Sequence, residues 1–394
     1  MQDSLLSILI TNAPVKFRIY VLTYDSAVQE LPGQAVHLPL GNRHWAKRLR
    51  YRLMSLRLAL KYHWQSLPGN QRYKRWPEVI GRACREPSHY SLIRYHNIRL
   101  IYNLNQHSIP SPVPFIQTVW DANHRIHSFF PEFSYTRFGF EALDLSLRQS
   151  LVRCSYVVTG TEAGAKQLVQ MLGVSASKIR VIPFPTPSLP PPSHSIIHTF
   201  GDYPFILYPA RLWPHKNHSV IFHALAQLKQ HYQIDFKLVS VGADSGNLEY
   251  LKSLALDLSI SDRVHFAGEV DDNVLAMLYH KAFALVFASA VGPDNLPPLE
   301  AMAIGCPAIV ARNEGTEEQF GDSVLTFSPY DEADLAKAIH CLATNPSLRV
   351  SLINKGKQLA AQQTPLSYVR MVFEIFEEFY LVARNWERCD SVFT

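Results

Sequence analysis

No apolar run in this chain reaches the roughly eighteen residues that crossing a bilayer requires, so no spanning helix is expected. The opening Met1-Gln-Asp-Ser4 sets no basic region ahead of an apolar core, so a secretory leader is not expected either. The five cysteines, Cys84, Cys154, Cys306, Cys341 and Cys389, are odd in number and far apart, with no paired spacing. That argues against a disulfide framework or a cysteine-rich zinc site and suits a reducing compartment. Internal repeats at solenoid spacing are also lacking.

What is present is a chain of 394 residues, 47% hydrophobic and 18% charged, long enough for two domains with sizeable cores. Short β-rich runs at 17–24, 35–40, 99–104, 115–120, 156–160 and 179–184 alternate with helical segments such as 139–153 and 162–172, a pattern that predicts a mostly parallel sheet covered on both faces. The proline-rich run Pro185-Thr-Pro-Ser-Leu-Pro-Pro-Pro-Ser193 continues neither helix nor central strand and predicts a linker. From about Tyr203 the alternation resumes, with strands expected at 205–210, 235–242, 264–270, 284–289, 307–312 and 323–328. Leu366 to Trp386 is helical in period, with Val369, Val372, Phe373, Phe376, Phe379, Tyr380 and Ala383 on one apolar stripe.

The net charge of +5 is unevenly placed: between Arg43 and Arg75 there are ten Lys or Arg and no Asp or Glu, interleaved with Trp45, Tyr51, Trp64 and Tyr73 and followed by Trp76. Cations attract phosphate and indoles favour the interface, so 43–76 reads as a surface for anionic lipid headgroups. A solvated basic helical face is the alternative; no recognition motif for nucleic acid accompanies the charge.

Two stretches carry the chemistry. Leu296-Pro-Pro-Leu-Glu-Ala-Met-Ala-Ile-Gly-Cys-Pro307 reads as a helix start with prolines in the first turn and a glycine cap at the other end. Amides at such an N-terminus suit a diphosphate, and Glu300, one turn in, suits sugar hydroxyls, although an ordinary strand-helix-strand unit reads the same way. Upstream, Phe205-Ile-Leu-Tyr-Pro-Ala-Arg-Leu-Trp-Pro-His-Lys216 is a buried-type strand followed by Arg211 and Lys216, two cations where open α/β sheets bind ligands and where an anionic leaving group would be held.

Together these stretches resemble the family 4 (group 1) glycosyltransferases. The resemblance extends over roughly residues 100 to 385, through Tyr156-Val-Val-Thr-Gly-Thr-Glu162, Leu172-Gly-Val174, Lys178-Ile-Arg-Val-Ile-Pro183 and Arg263-Val-His-Phe-Ala-Gly-Glu-Val270. It implies the GT-B fold: α/β, two Rossmann-like domains facing across a cleft, with the last helix crossing back to the first domain. The implied domains are 1–187, acceptor-binding and completed by 366–394, and 203–365, which binds the nucleotide-sugar donor. Family members open with a strand and a glycine-rich turn, whereas this chain begins with what reads as the following helix, Ser4 to Asn12, so that strand and loop are expected to be missing. Either the true start lies upstream or the chain is a real truncation.

The implied activity is retaining transfer of a sugar from a nucleotide-sugar to a glycan or lipid-linked acceptor in cell-envelope polysaccharide biosynthesis, in the cytoplasm or peripherally at the inner membrane face. A non-catalytic sugar-nucleotide-binding partner subunit and a sugar-nucleotide epimerase are the alternatives. Arg211, Lys216 and the helix start at Asn295, Leu296 and Glu300 would hold the diphosphate and sugar, and Gly268 and Glu269 the base. Beyond Phe115-Ile-Gln-Thr-Val-Trp-Asp-Ala-Asn-His-Arg125, where the family commonly has a histidine at Trp120, Asp121 or His124 would take the acceptor's proton; a structural histidine is the other reading of His124. Arg125 would pair a phosphate or salt-bridge Glu132. The family's first glutamate falls on Gly292, so the sugar-side carboxylate is missing; relatives with a Gly-Pro-Thr-Asn loop resemble this chain there, the backbone amides of Asn295 and Leu296 remain as contacts, and Asp294 is a candidate substitute. No Asp-x-Asp triplet occurs, so neither metal nor other cofactor is expected.

Overall fold

The computed structural model describes residues 2–23, 35–39, 53–54, 56–61, 63–64, 80, 88–106, 111–134, 140–191 and 204–385. Most of the basic block, including Arg48, Arg50 and Arg52, lies outside the described residues, as do Cys84 and 386–394. No helix among the described residues is long and apolar enough to cross a membrane.

Strands β1 (Tyr20–Thr23) and β2 (Val36–Pro39) pair in parallel, Tyr20 opposite Val36. Strands β3 (Ile101–Asn103), β4 (Phe115–Thr118), β5 (Tyr156–Thr159) and β6 (Ile179–Val181) follow in that order in a second sheet. All four residues of β4 are buried, which is why its polar members are bonded: Asn103 Nδ2 donates to Gln117 Oε1 at 3.0 Å.

A third sheet holds β7 (Phe205–Pro209), β8 (Lys237–Val241), β9 (Val264–Gly268), β10 (Ala284–Phe287), β11 (Ala308–Ala311) and β12 (Leu325–Phe327), in the order β12-β11-β10-β7-β8-β9. All its pairs are parallel. The chain runs outward from β7 to β9 on one side, then returns to start β10 on the other, which makes the gap between the ends of β7 and β10 the topological switch point where doubly wound sheets bind ligands. Ile206, Leu207, Leu285, Val286, Ile309 and Val310 are all wholly buried, as a sheet covered on both faces requires.

The molecule divides into two compact units: Met1–Thr118, Gln149–Val157 and Val369–Thr394 in one, Val119–Arg148 and Val158–Tyr368 in the other. In the first, the helix Pro365–Ala383 turns its apolar stripe inward from Val369, itself wholly buried. Phe17 stacks on Phe373 with ring centroids 6.1 Å apart, Arg99 Nη2 donates to the Ala383 carbonyl at 2.8 Å, and Lys16 pairs with Glu377. The final helix is thus part of the same compact body as the chain's first strands. In the second unit, the helix Pro297–Ile304 starts on its two prolines and ends at Gly305, whose φ of +88° is the left-handed cap expected there.

Candidate functional site

Every sequence-predicted site residue lies in the second unit. Just past β7, the chain makes a single 3-10 turn at Pro214–Lys216, with Lys216 N–H donating to the Trp213 carbonyl at 3.0 Å. The Tyr208 hydroxyl, anchored in the sheet core, donates to the Lys216 carbonyl at 2.5 Å and fixes that turn. The Lys216 ammonium lies 3.4 Å from Ser289 Oγ, beyond β10, and 5.5 Å from the centre of the Phe287 ring. It therefore sits at the switch point, and burial pulls its pKa down to about 8, against the opposing pull of Asp121 and Glu132. Arg211 is different: its side chain is 62% exposed, and its guanidinium stands 3.8 Å from the equally exposed Glu269, next to Gly268 at the end of β9. The structure therefore brings Arg211 and the expected base-binding loop together at the surface, with Lys216 the more enclosed cation.

Beyond β10, Ala290 N–H donates to the His215 carbonyl at 2.8 Å, tying this loop to the Lys216 turn. Gly292 has φ of +118°, a conformation closed to side-chain-bearing residues without strain, and a Cβ there would lie 3.3 Å from Asn295 Oδ1. The missing carboxylate is thus matched by a backbone that needs glycine. The Asn295 amide does not remain free for a sugar or phosphate: it donates to Gln319 Oε1 at 2.9 Å, while Asn295 Nδ2 donates to the Gly292 carbonyl at 3.2 Å. Leu296 forms the N-cap of the Pro297–Ile304 helix. Glu300, in its first turn, accepts a hydrogen bond from the Tyr279 hydroxyl at 2.7 Å. Burial raises the Glu300 pKa, and that hydrogen bond offsets part of the rise.

Beyond β4, Asp121 Oδ1 accepts the Asn123 amide at 2.9 Å, and burial raises the Asp121 pKa despite this bond and the nearby charges of His124, Lys216 and His127. His124 is buried against Phe140, with Nε2 3.3 Å from Asp144 Oδ1. Arg125 does not salt-bridge Glu132; it turns instead to the helix Phe140–Arg153, where Nη2 donates to Asp144 Oδ2 at 2.9 Å and Nη1 reaches the Met171 carbonyl. Arg125, then burial and His124, set the Asp144 pKa, with a net fall to about 2. Glu132 takes a different partner, accepting both the His215 amide at 2.8 Å and the His215 ring Nδ1. Burial, then the neighbouring Lys216, keep His215 neutral.

Three residues that sequence reasoning missed thus brace the site, Asp144 holding His124 and Arg125, Tyr279 holding Glu300 and Gln319 holding Asn295, while Glu132, expected on Arg125, holds the turn carrying Lys216. Only Asp144 had a local signal, its i,i+4 spacing to Arg148, whose Nε lies 2.8 Å from Asp144 Oδ2.

Comparison with known proteins bears on the family and the fold. Residues 193–359 match the family model described as glycosyl transferases group 1. The O-antigen chain mannosyltransferase RfbU of Salmonella typhimurium is 28% identical over 249 residues, covering 63% of this chain and 66% of that protein. The chain spans between two fifths and two thirds of the length of the first curated relatives it matches. Among solved structures, a sucrose-phosphate synthase from Thermosynechococcus elongatus superposes with a TM-score of 0.69 at 16% identity, covering 97% of this chain and 93% of that one. Anabaena HepE, solved in complex with UDP, gives 0.62 at 18% identity, covering 92% of this chain and 100% of that one. At such identities these structures speak for the fold alone, two Rossmann-like halves of the GT-B type.

Proposed function

We propose, from the premise that the chain carries a group 1 glycosyltransferase domain over residues 193–359, that it moves a sugar from a nucleoside diphosphate sugar to a hydroxyl of a glycan or lipid-linked acceptor, with retention at the anomeric carbon. The observation that carries this reading is Lys216: a half-buried ammonium at the switch point of the sheet, on a turn fixed by the Tyr208 hydroxyl and lacking a carboxylate partner within salt-bridge distance among the described residues. An enclosed cation of this kind is built to meet an anion. As the sugar leaves, charge grows on the diphosphate, and Lys216, Arg211 and the N-terminus of the Pro297–Ile304 helix stabilise it; Glu300 holds donor hydroxyls. Anabaena HepE binding UDP makes UDP the first nucleotide to try.

Isothermal calorimetry with UDP, GDP and ADP, followed by product analysis of the matching nucleotide sugars with and without glycan acceptors, tests the reading. Binding of one nucleotide and transfer that persists in EDTA are expected. Turnover without any acceptor would instead indicate an epimerase, and binding without turnover a partner subunit, a reading favoured by the glycine at 292.

The acceptor side includes a proposed membrane contact through 43–76. Vesicles with anionic lipid are expected to sediment the protein and release it at raised salt, each basic residue that reaches the surface contributing about 1 kcal/mol. Equal sedimentation with neutral vesicles would remove this part.

A further inference from the structure

Asp294 follows Gly292 and Pro293 in the loop beyond β10, but its carboxylate lies on the backbone of Gly160, the residue after β5. A Cβ placed on Gly160 would come within 2.4 Å of Asp294 Oδ1 and 2.6 Å of Oδ2. The Gly160 amide donates to this carboxylate, and Oδ2 is left buried with no hydrogen-bond partner. Asp121 stands beyond β4, the strand beside β5, and Val119 N–H meets the Val158 carbonyl at 2.9 Å where the two run together. The loop beyond β10 thus delivers a carboxylate to Gly160, in the same compact unit as Asp121.

The charges around the pair do not balance. Glu318 also faces Asp294, with its two oxygens accepting the Glu162 and Ala163 amides at 2.6 and 3.1 Å. On the other side, Lys216, His124 and His127 face Asp121, and burial keeps both histidines from holding a proton readily. Three carboxylates therefore face one lysine, whose own pKa burial pulls down to about 8, so ionising both buried carboxyls, Asp121 and Asp294, is disfavoured. Burial, then the charges of Asp121 and Glu318, push the Asp294 pKa up to about 7.

We propose that Asp121 and Asp294 form an electrostatically coupled carboxylate pair, with no hydrogen bond between them, in which Asp121 takes the acceptor's proton and the buried Asp294, seated on Gly160, is a positioning residue that governs the charge of the pair. The inference rests on the transferase reading of the site. As the acceptor oxygen bonds to the anomeric carbon, its O–H bond breaks and the proton passes to Asp121; the electron pair of the broken anomeric C–O bond leaves on the diphosphate. Before the step the pair holds one proton and one negative charge; after it, two protons and none. Asp121 returns its proton to water when the product departs.

The infrared carboxyl band of the full-length protein reads this pair without any substrate. A carboxyl group titrating near 7 is expected in the unsubstituted protein, absent from Asp294→Asn. In Asp121→Asn, which keeps an oxygen for the Asn123 amide, the midpoint is expected to fall by about one pH unit because the repelling charge is gone. Gly160→Ala pushes a methyl into the Asp294 carboxylate and is expected to move the same band, an effect that Gly160→Ala combined with Asp294→Asn cannot show. A band indifferent to Asp121→Asn overturns the pair. Calorimetry with UDP and GDP on the same samples separates the two ideas: nucleotide binding with an indifferent band removes the pair alone, whereas a coupled band without binding of either nucleotide overturns the catalytic role of Asp121 together with the transferase reading.

Discussion

Replacing Lys216 with Met is expected to weaken nucleoside diphosphate binding on the order of a hundredfold while leaving the melting temperature of the free protein unchanged or slightly raised. The first half follows from the enclosure of the ammonium: an ionised donor in a partly desolvated site contributes roughly 1.5–3 kcal/mol to a hydrogen-bonded anion, more than an exposed one whose attraction water screens. The second half follows from the sign of its pKa shift. The folded-state value of about 8 lies below the ordinary 10.5, so between these the unfolded chain binds more protons than the folded one. The contribution of Lys216 to stability is present above the unfolded pKa and lost as pH falls through about 8, which means that at neutral pH the charged group costs the free fold something. A bound diphosphate offsets that cost. Nucleotide affinity is accordingly expected to decline as pH rises through about 8, with proton uptake on binding near that value. Arg211→Ala, removing an arm already 62% exposed, is expected to cost about tenfold or less. Calorimetry at neutral and alkaline pH is the measurement; unchanged affinity in both variants would dissolve the diphosphate site.

Glu300→Gln should lower sugar transfer about a hundredfold with little change in melting temperature. The glutamine keeps an oxygen for the Tyr279 hydroxyl, now 2.7 Å from the carboxylate, so the local packing survives. What is lost is the charge that strengthens hydrogen bonds to donor hydroxyls as the transition state develops. Tyr279→Phe distinguishes a positioned carboxylate from a merely structural one, since it leaves the charge and removes the brace; its effect is expected mainly on KM for the donor. A fully active Gln variant would reduce Glu300 to a partner of Tyr279.

Elements set by short-range pattern were legible from the chain itself. The run 156–160 forms β5 at Tyr156–Thr159, and the helix read at 162–172 spans Glu162–Leu172, because Thr161 caps one end by accepting the Gly164 amide and Gly173 closes the other in the left-handed region. The final helix, read from Leu366 to Trp386, is described over Pro365–Ala383. The positions of Arg211 and Lys216 beyond β7, and of Glu300 in the first turn of the helix after β10, were legible because strand and helix patterns place them there. Their supports were not. Glu132 and His215 are 83 residues apart, and nothing in either neighbourhood marks the other. Arg125 had Glu132 a short distance along the chain but turns to Asp144, since the following helix brings that carboxylate across both Arg125 and His124. The use of the Asn295 amide by Gln319 was equally hidden: periodicity tells which side chains face inward, not which backbone donors they satisfy.

The loop at Gly292 also bears on how this sequence can change. At φ of +118° a side chain there is strained by roughly 1–3 kcal/mol whatever space surrounds it. Reinstating a glutamate by a single substitution would thus arrive with a folding penalty and, beside Asn295, a steric neighbour at 3.3 Å. Any lineage regaining the acid must first relax the loop, and relaxing the loop disturbs the Gln319 and Gly292 bonds that hold Asn295. A glutamate at 292 would therefore have to arrive together with changes in the contacts around Asn295, which ties the residue at 292 to its neighbours.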